Sequence, residues 1–231
     1  GKIRQANKAV RQWYGRNIIS QDCHAILHPS SIDKKDCPIC IGIAKKESFK
    51  ALEYFDKDRQ VWFEAAVSGI HHSEDFSIMV HSLRDINSRK TDEAKFTSLN
   101  RIYRVLSHTN QAIVQIKDRD HLFQKICDIS VDQGNFKMAW IGLVCDKVVK
   151  PSFISGAEKG YFKRMQMRID DSEWSKGPVG RAANTQKVAY VNNVHTHPDF
   201  DPWRRAAIER GYEALAAVPL IFEDKVIAIF T

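Results

Sequence analysis

The sequence predicts an α+β protein with two domains, each built from an antiparallel sheet and flanking helices, joined by a long amphipathic helix. Two observations lead to this prediction. The first is a set of runs rich in aromatic and β-branched residues, some with alternating apolar and polar positions, which predict strands. The second is one long stretch with helical periodicity that has such runs on both sides. That stretch divides the chain, so we place the domains at residues 1–87 and 118–231 and the connecting helix at 88–117.

The connecting helix is predicted from apolar residues that recur three and four positions apart. One seam consists of Phe96, Leu99, Tyr103, Leu106, Asn110 and Ile113, and a second stripe of Ile102, Val105, Ala112 and Ile116. A polar residue such as Asn110 within a seam fixes the register and the number of associated helices. We therefore expect a homodimer along this helix. The alternative is an ordinary amphipathic helix inside a single globular domain.

Composition and charge narrow the functional classes. Hydrophobic residues make up 43% of the 231 residues, enough to bury cores. Basic side chains exceed acidic ones by 35 to 28, but they are scattered without a basic run, which argues against nucleic-acid binding. Since no apolar run reaches the roughly 18 residues of a membrane-spanning helix, we expect no membrane contact by this segment.

The cysteines and the chain ends add two further expectations. Five cysteines are an odd number, which disfavours a secreted disulfide scaffold and favours reduced thiols in the cytoplasm. The chain begins at Gly1 without an initiator Met, and it stops at Thr231 directly after a strand-like run. We therefore expect an excerpt of a longer protein whose output portion is missing.

In the first domain, a short strand and a helix ending at Gly15 precede a loop-like segment over residues 16–43, and three strands follow. The strands are predicted at Glu47–Asp56, Gln60–Ser68 and Phe76–Arg84. This order, closed by Asp85-Ile86-Asn87 and a helix, resembles a PAS sensor domain. The usual third residue of that motif is Thr, and the Asn87 side chain is expected to cap the helix instead. The resemblance implies that the first PAS strand precedes Gly1.

The loop-like segment contains a candidate metal site. Cys23, His28, Cys37 and Cys40 form a C-x4-H-x8-C-x2-C pattern, with His24 as a spare donor. Two thiols two residues apart grip one ion from a single turn, and a Cys and a His complete a tetrahedral set. These soft ligands favour Zn²⁺ or an iron-sulfur centre. Two alternatives remain open, a redox dithiol of Cys37 and Cys40, and reduced side chains that merely pack.

The second domain is predicted as a helix, two strands, a small helix, a strand, a helix and two strands. This order resembles a GAF domain of bacterial PAS–GAF signalling proteins, which are often fused to diguanylate cyclase, phosphodiesterase or histidine kinase outputs. The segments that carry the resemblance are Met138–Gly142, Gly177–Ala182, Val191–Asn193, Asp201–Arg204, Gly211-Tyr212 and Val218–Leu220. The resemblance also implies that the closing residues of the family lie beyond Thr231.

A GAF sheet covers a pocket between its face and the crossing loops, and such pockets hold small ligands. The candidate pocket residues are Trp140, Tyr161, Trp174 and Trp203, with Arg204 as an anion partner. Core packing is the competing interpretation for each aromatic side chain, and a surface or capping salt bridge is the competing interpretation for Arg204. The pattern does not identify the ligand.

No catalytic motif is recognised in the sequence. A nucleophile elbow, a phosphate loop and a paired-carboxylate pattern are all lacking, and Cys127 and Cys145 do not form an evident thiol pair. We therefore expect that the segment is not an enzyme. We expect a sensory segment of a two-component or cyclic-di-GMP signalling protein, which binds a small ligand or a metal or redox centre. The alternatives are a dimerisation scaffold without a ligand and a thiol redox enzyme that uses Cys37 and Cys40.

Overall fold

The computed structural model divides the chain into two compact units, residues 1–96 and 97–231. Each unit is described by itself. The structure describes residues 1–15, 17–28, 32–45, 49–57, 59–73, 76–164, 167–170 and 172–231. Both units combine helices with an antiparallel sheet, which confirms the predicted mixed α+β class.

The first unit contains three short helices followed by a three-stranded antiparallel sheet in the order β1-β2-β3. Its elements are α1 Lys8–Tyr14, α2 Cys23–Leu27, α3 Pro38–Lys45, β1 Phe49–Asp56, β2 Val61–Ser73 and β3 Phe76–Asp85. The three strands lie where they were predicted, although β2 continues five residues beyond the predicted end, from Ser68 to Ser73. The predicted loop contains α2 and the greater part of α3. Helices this short show too few turns for a periodic pattern, so they depend on local caps such as Asp22, whose carboxylate accepts the His24 backbone N–H at 2.9 Å.

One face of the first sheet packs against α3. Phe63, Ala65 and Val67 alternate along β2 and are buried, because successive side chains of a strand point to opposite faces. They pack with Ile39 of α3 and with Cys37, which directly precedes that helix. The core of this unit therefore extends into the cysteine-containing segment.

The long helix α4 spans Asn87–Gln115. At its start, the Asp85 carboxylate accepts the backbone N–H of Asn87 at 2.9 Å, while the Asn87 side-chain oxygen accepts the backbone N–H of Trp62 on β2 at 2.8 Å. The capping role predicted for Asn87 thus belongs to Asp85, and Asn87 fastens the helix to the sheet. Glu53 of β1 adds ion pairs to Arg89 and Lys90, both at 2.6 Å.

The predicted seam of α4 is open to solvent in this chain. Phe96 and Tyr103 are 67% and 71% exposed, and Leu99, Leu106 and Ile113 are also exposed. Ala112, from the second stripe, is the one residue of α4 that is buried among those described. Within the described part of the chain, no helix combines the length and the apolar character needed to cross a bilayer.

The second unit contains a five-stranded antiparallel sheet in the order β5-β4-β8-β7-β6. Its elements are α5 Arg119–Asp132, β4 Met138–Cys145, β5 Val148–Gly156, α6 Pro178–Thr185, β6 Ala189–Val191, α7 Asp201–Glu209, β7 Leu215–Phe222 and β8 Lys225–Phe230, with short 3₁₀ helices at Tyr161–Arg164, Glu173–Lys176 and Pro198–Phe200. Tight turns at Asp146-Lys147 and Glu223-Asp224 close the two hairpins with φ between 46° and 63°.

Both faces of this sheet are covered. Phe123 and Cys127 of α5 pack with Ile141 of β4 in one cluster. Trp140, the neighbouring residue on β4, points to the other face and packs in a separate cluster with Ala182 of α6. This second face borders the loops and helices between β5 and β7, where the candidate pocket lies.

Candidate functional site

A cavity of about 550 Å³ lies in the second unit. Its wall includes four of the five predicted pocket residues, Trp140, Tyr161, Trp174 and Trp203. The volume is within the range of small-molecule sites, which extend from about 300 to 1,000 Å³. The structure therefore brings together, around one cavity, aromatic side chains that are up to 63 residues apart in sequence, the difference between positions 203 and 140.

Each aromatic wall residue belongs to a different element. Trp140 is on β4, Tyr161 and Trp174 are in 3₁₀ helices, and Trp203 is on α7. The rings of Trp174 and Trp203 meet edge to face with centroids 5.8 Å apart, and Tyr161 meets Tyr212 in the same way at 5.2 Å. Such contacts stabilise aromatic pairs beyond their burial. The ring contacts fix the wall, and Trp174 is the most exposed of the four predicted aromatic residues, at 36%.

The two glycines of Gly177-Pro178-Val179-Gly180 have a steric role that the sequence pattern did not reveal. A Cβ atom on Gly177 would lie 2.3 Å from the Trp203 ring, and one on Gly180 would lie 2.2 Å from the carbonyl oxygen of Ser175. Both distances are far below van der Waals contact. The glycines therefore allow α6 to approach Trp203 and the preceding 3₁₀ helix, and both also line the cavity.

Arg204 is placed differently from the prediction. It is not among the described residues of the cavity wall, and its guanidinium donates to the carbonyl oxygens of Val194 and His197, both at 2.7 Å. Its Nε also donates to the Asp201 carboxylate at 3.0 Å. Arg204 lies in the first turn of α7, and helical side chains point back toward the N-terminus of their helix. Its guanidinium therefore faces the loop that precedes α7. Arg204 is thus a structural tether of α7.

The ionisable side chains at the cavity already have partners. Lys137 donates to the carbonyl oxygen of Gly211, and Glu213 lies 3.3 Å from the imidazole of His195. Burial raises the pKa of Tyr161, so its hydroxyl is neutral at physiological pH. Among the described wall residues, apolar and aromatic side chains predominate. The described wall therefore offers mainly apolar and aromatic contacts to a ligand.

Neither cysteine of this unit, Cys127 or Cys145, is among the described residues of the cavity wall. Cys127 of α5 is fully buried, and its thiol donates to the carbonyl oxygen of Phe153 at 3.7 Å. Burial raises the pKa of this thiol to about 12, which keeps it protonated. Cys145 is exposed at the end of β4.

A second candidate site lies in the first unit. One donor atom from each of His24, His28, Cys37 and Cys40 lies within 4.8 Å of the other three. The Nδ1 atoms of the two histidines are 3.2 Å apart. The Cys40 sulfur lies 3.3 Å from Nδ1 of His24 and 3.2 Å from Nδ1 of His28. The Cys37 sulfur lies 3.3 Å from Nδ1 of His28. Four soft donors therefore converge on one point.

This group of four differs from the predicted set by one member, since His24 stands where Cys23 was expected. His24 and His28 are four residues apart, at the start and the end of α2, so both face the same side. Cys23 is one position earlier and is turned away. It is buried in an apolar cluster with Ile3, Ile18 and Leu27. Spacing alone did not distinguish the two neighbours, because the helix that separates their faces was not predicted.

Burial sets the protonation states around this group. It lowers the pKa of His28 to about 3, with a further contribution from the nearby His81, so the imidazole is neutral and has a free lone pair. Burial and the neighbouring Cys37 raise the pKa of the Cys40 thiol to about 12. A reactive redox thiol has the opposite shift, toward a stable thiolate. The raised pKa of Cys40 therefore argues against a redox role for this thiol.

Comparisons with solved structures give distant resemblances to the second unit. The GAF domain of A. aeolicus nlh2 has a TM-score of 0.44 and 16% identity over 57% of this chain and 77% of that one. Free methionine-R-sulfoxide reductase from Neisseria meningitidis has a TM-score of 0.46 and 12% identity over 58% and 72%. The GAF domain of an Acinetobacter phosphoenolpyruvate-protein phosphotransferase has a TM-score of 0.40 and 14% identity over 58% and 74%. No curated protein matches the chain.

The family is shown by the sequence of the second unit. A family model described as GAF domain matches residues 117–231, a span that begins just before α5 and includes the whole five-stranded sheet and the cavity. GAF domains are common ligand-binding modules of signalling proteins. The part of this chain from residue 117 to residue 231 is therefore a GAF domain.

Proposed function

We propose that this chain is a sensory and regulatory segment whose GAF cavity binds a small, uncharged, flat molecule. The observation that carries the proposal is the 550 Å³ cavity with Trp140, Tyr161, Trp174 and Trp203 in its wall. Aromatic walls bind flat ligands by stacking and by edge-to-face contacts. Since apolar and aromatic side chains predominate in the described wall and Arg204 is not among them, we expect charge to contribute little to recognition.

Ligand binding is tested first by native mass spectrometry of the purified chain, which detects a small molecule that copurifies. Tryptophan fluorescence is then titrated with a panel of uncharged aromatic compounds. Ala216 lines the cavity from an exposed position on β7, so Ala216→Trp narrows it and is expected to weaken the fluorescence response. Ser152→Trp adds a tryptophan at an exposed position on β5 and is the matched control. An equal response of the two variants would contradict the proposal.

The signal is proposed to pass along α4 in a homodimer. Support comes from the exposed seam of Phe96, Leu99, Tyr103, Leu106 and Ile113, whose spacing suits the same seam of a second copy. Light scattering at tens of micromolar is expected to give twice the chain mass, and Leu99→Asp with Leu106→Asp to give the single mass. A monomeric wild-type chain would contradict this mechanism. A dimer without any cavity ligand would instead favour a scaffold.

We further propose that the first unit is a PAS-like sensor domain and that the segment regulates an enzymatic output, such as a diguanylate cyclase or a histidine kinase, without catalysing a reaction itself. The three antiparallel strands and the attachment of Asn87 to β2 support the first point. The protonated, buried Cys127 supports the second. The five free cysteines support a reducing cytoplasmic location.

A further inference from the structure

We infer that His24, His28, Cys37 and Cys40 hold one zinc ion in a closed tetrahedral site. This inference concerns the first unit and is independent of the ligand proposed for the GAF cavity. Zinc–nitrogen bonds of about 2.05 Å and zinc–sulfur bonds of about 2.3 Å give tetrahedral edges of about 3.3 Å between two nitrogens and about 3.6 Å between nitrogen and sulfur. Here the two nitrogens are 3.2 Å apart, and three of the four nitrogen–sulfur pairs are 3.2–3.3 Å apart. The remaining donor pairs lie within 4.8 Å, so the four donors surround a space of the size of one ion.

The ligand spacing agrees with this geometry. The corrected pattern is H-x3-H followed by C-x2-C, and both intervals are among those of structural zinc sites with two histidines and two cysteines. Each pair comes from one short segment. The histidines belong to α2 and its C-cap, and the cysteines are the residue before α3 and a residue of its first turn. Two chelating pairs on two segments form a site that joins these segments.

The charge of the site favours a divalent cation. When zinc binds, each of the two thiols releases one proton to solvent, and the two thiolates then balance the two positive charges of the ion. A neutral centre is required here because Cys37 is fully buried and His28 is 8% exposed, and an unbalanced charge is costly in such surroundings. Four protein ligands leave no open coordination position, as in structural rather than catalytic zinc sites.

The compactness of the group distinguishes one ion from an iron-sulfur cluster. A two-iron cluster with two cysteines and two histidines places the cysteines on one iron and the histidines on the other. Bridging sulfides then separate the thiolates from the imidazoles. Here the Cys40 sulfur is close to both histidine nitrogens, and all four donors lie within 4.8 Å. A single ion fits that space.

Residues of the sheet contact the ligands and their neighbours. The Tyr54 hydroxyl of β1 donates at 2.8 Å to the carbonyl oxygen of Leu27, the residue before His28. The His81 ring of β3 packs edge to face against the His28 ring, with centroids 5.0 Å apart. Cys37 packs in the core cluster of Phe63 and Val67. The zinc centre therefore connects α2 and α3 to the sheet of the first unit.

Metal content and matched variants test the inference on the full chain. Purified protein is expected to contain one zinc per chain. His24→Ala and Cys40→Ser are each expected to lower this to less than about one tenth, because loss of one of four ligands opens a structural site. Cys23→Ser, the neighbour turned away from the site, and Cys145→Ser, the exposed thiol, are expected to keep the zinc. Loss in Cys23→Ser with retention in His24→Ala would overturn this ligand set.

Two measurements on the wild-type chain test the zinc site without depending on the folding of any variant. Zinc is exchanged for Co²⁺, and tetrahedral coordination by two thiolates is expected to give a thiolate-to-cobalt charge-transfer band. Alkylation is then mapped by mass spectrometry with and without a chelator. Cys37 and Cys40 are expected to react only after chelation, whereas Cys145 reacts in both conditions. Protein without zinc, and without the cobalt band after Co²⁺ is added, would overturn the inference. An iron-sulfur absorption spectrum would do the same.

Discussion

The two candidate sites of this chain are built in opposite ways. In the first unit, four polar donors from a segment of 17 residues, positions 24 to 40, converge within 4.8 Å. In the second unit, residues from β4, β6, β7, α6, α7 and three 3₁₀ helices surround a mostly apolar cavity of about 550 Å³. The four donors are arranged to coordinate one ion, whereas the cavity has room and aromatic surfaces for a small molecule.

This difference determines what holds each region together. A small unit gains much of its stability from a bound structural ion, because ligands that are disordered in the unfolded chain are fixed by it. The GAF domain has a continuous core on both faces of a five-stranded sheet, so packing suffices there. We therefore expect metal removal to affect one region and core truncation the other.

The largest expected effect is that of zinc removal on the first unit. Structural zinc binds small domains with apparent free energies on the order of 10 kcal/mol, and that contribution disappears with the ion. Chelation is expected to increase backbone hydrogen exchange in α2 and α3 to the level of an unfolded segment. Exchange in β4, β7 and β8 is expected to remain unchanged. Mass spectrometry of exchanged peptides measures both regions in one sample.

The same experiment also tests whether packing alone holds α2 and α3 in place. If chelation left exchange in α2 and α3 unchanged, the apolar cluster of Cys37, Ile39 and Phe63 alone would hold these helices to the sheet. The Cys23→Ser variant provides the matched control. It retains all four proposed ligands, so its exchange is expected to respond to chelation as the wild type does.

The second effect is that of removing Trp203 from the GAF domain. Trp203 is 6% exposed and packs against Gly177, so Trp203→Ala is expected to destabilise this domain by about 3–5 kcal/mol through lost burial and the cavity left behind. Trp174→Ala, at its edge-to-face partner, is expected to cost less because that ring is 36% exposed. Urea unfolding followed by circular dichroism measures both. Equal losses of stability in the two variants would contradict the expectation that the more exposed ring contributes less to stability.

The smallest effect concerns pH and the loop before Trp174. Bonds from Ser172 and Arg168 lower the pKa of Asp170 to about 2, below its ordinary 3.8. A carboxyl with a lowered pKa in the folded state stabilises that state above its unfolded pKa and loses the contribution as pH falls through the folded pKa. The ordering of this loop by Asp170 is therefore expected to weaken between pH 3.8 and about 2.

Tryptophan fluorescence during acid titration checks this expectation. In Asp170→Asn the change over that interval is expected to be smaller than in the wild type, because the titrating group is gone. Asp199→Asn removes an exposed carboxylate that lies 3.5 Å from Arg181, and it serves as the control. A wild-type titration curve in Asp170→Asn would show that another group orders the loop.

Much of the fold was predictable because its signals are local. Aromatic and β-branched runs predicted the strands of both units. The tight turns at Asp146-Lys147 and Glu223-Asp224 consist of polar residues between such runs. The GAF resemblance, carried by segments such as Gly177–Ala182, is confirmed by the family model over residues 117–231. The PAS resemblance, the homodimer and the output domain stay predictions.

The errors share one cause, which is side-chain direction. Segment 16–43 was predicted as a loop, and the missed helix α2 reversed the choice between Cys23 and His24. Arg204 was assigned to the pocket by its position in a motif, but the turn of α7 directs its guanidinium to the carbonyl oxygens of Val194 and His197. A pattern of residue types contains no information about which face a short helix presents.

The sequence by itself determined the residue types and their local spacing. It supplied the Cys and His donors within one short segment, the apolar seam of α4, and the glycines of the segment before α6. Only the tertiary structure decided which four donors converge, and that four aromatic rings enclose one cavity. The physical reason is that local hydrogen bonds and periodicity fix backbone elements over a few residues. Convergence instead depends on packing between elements distant in sequence, such as β4, α6 and α7.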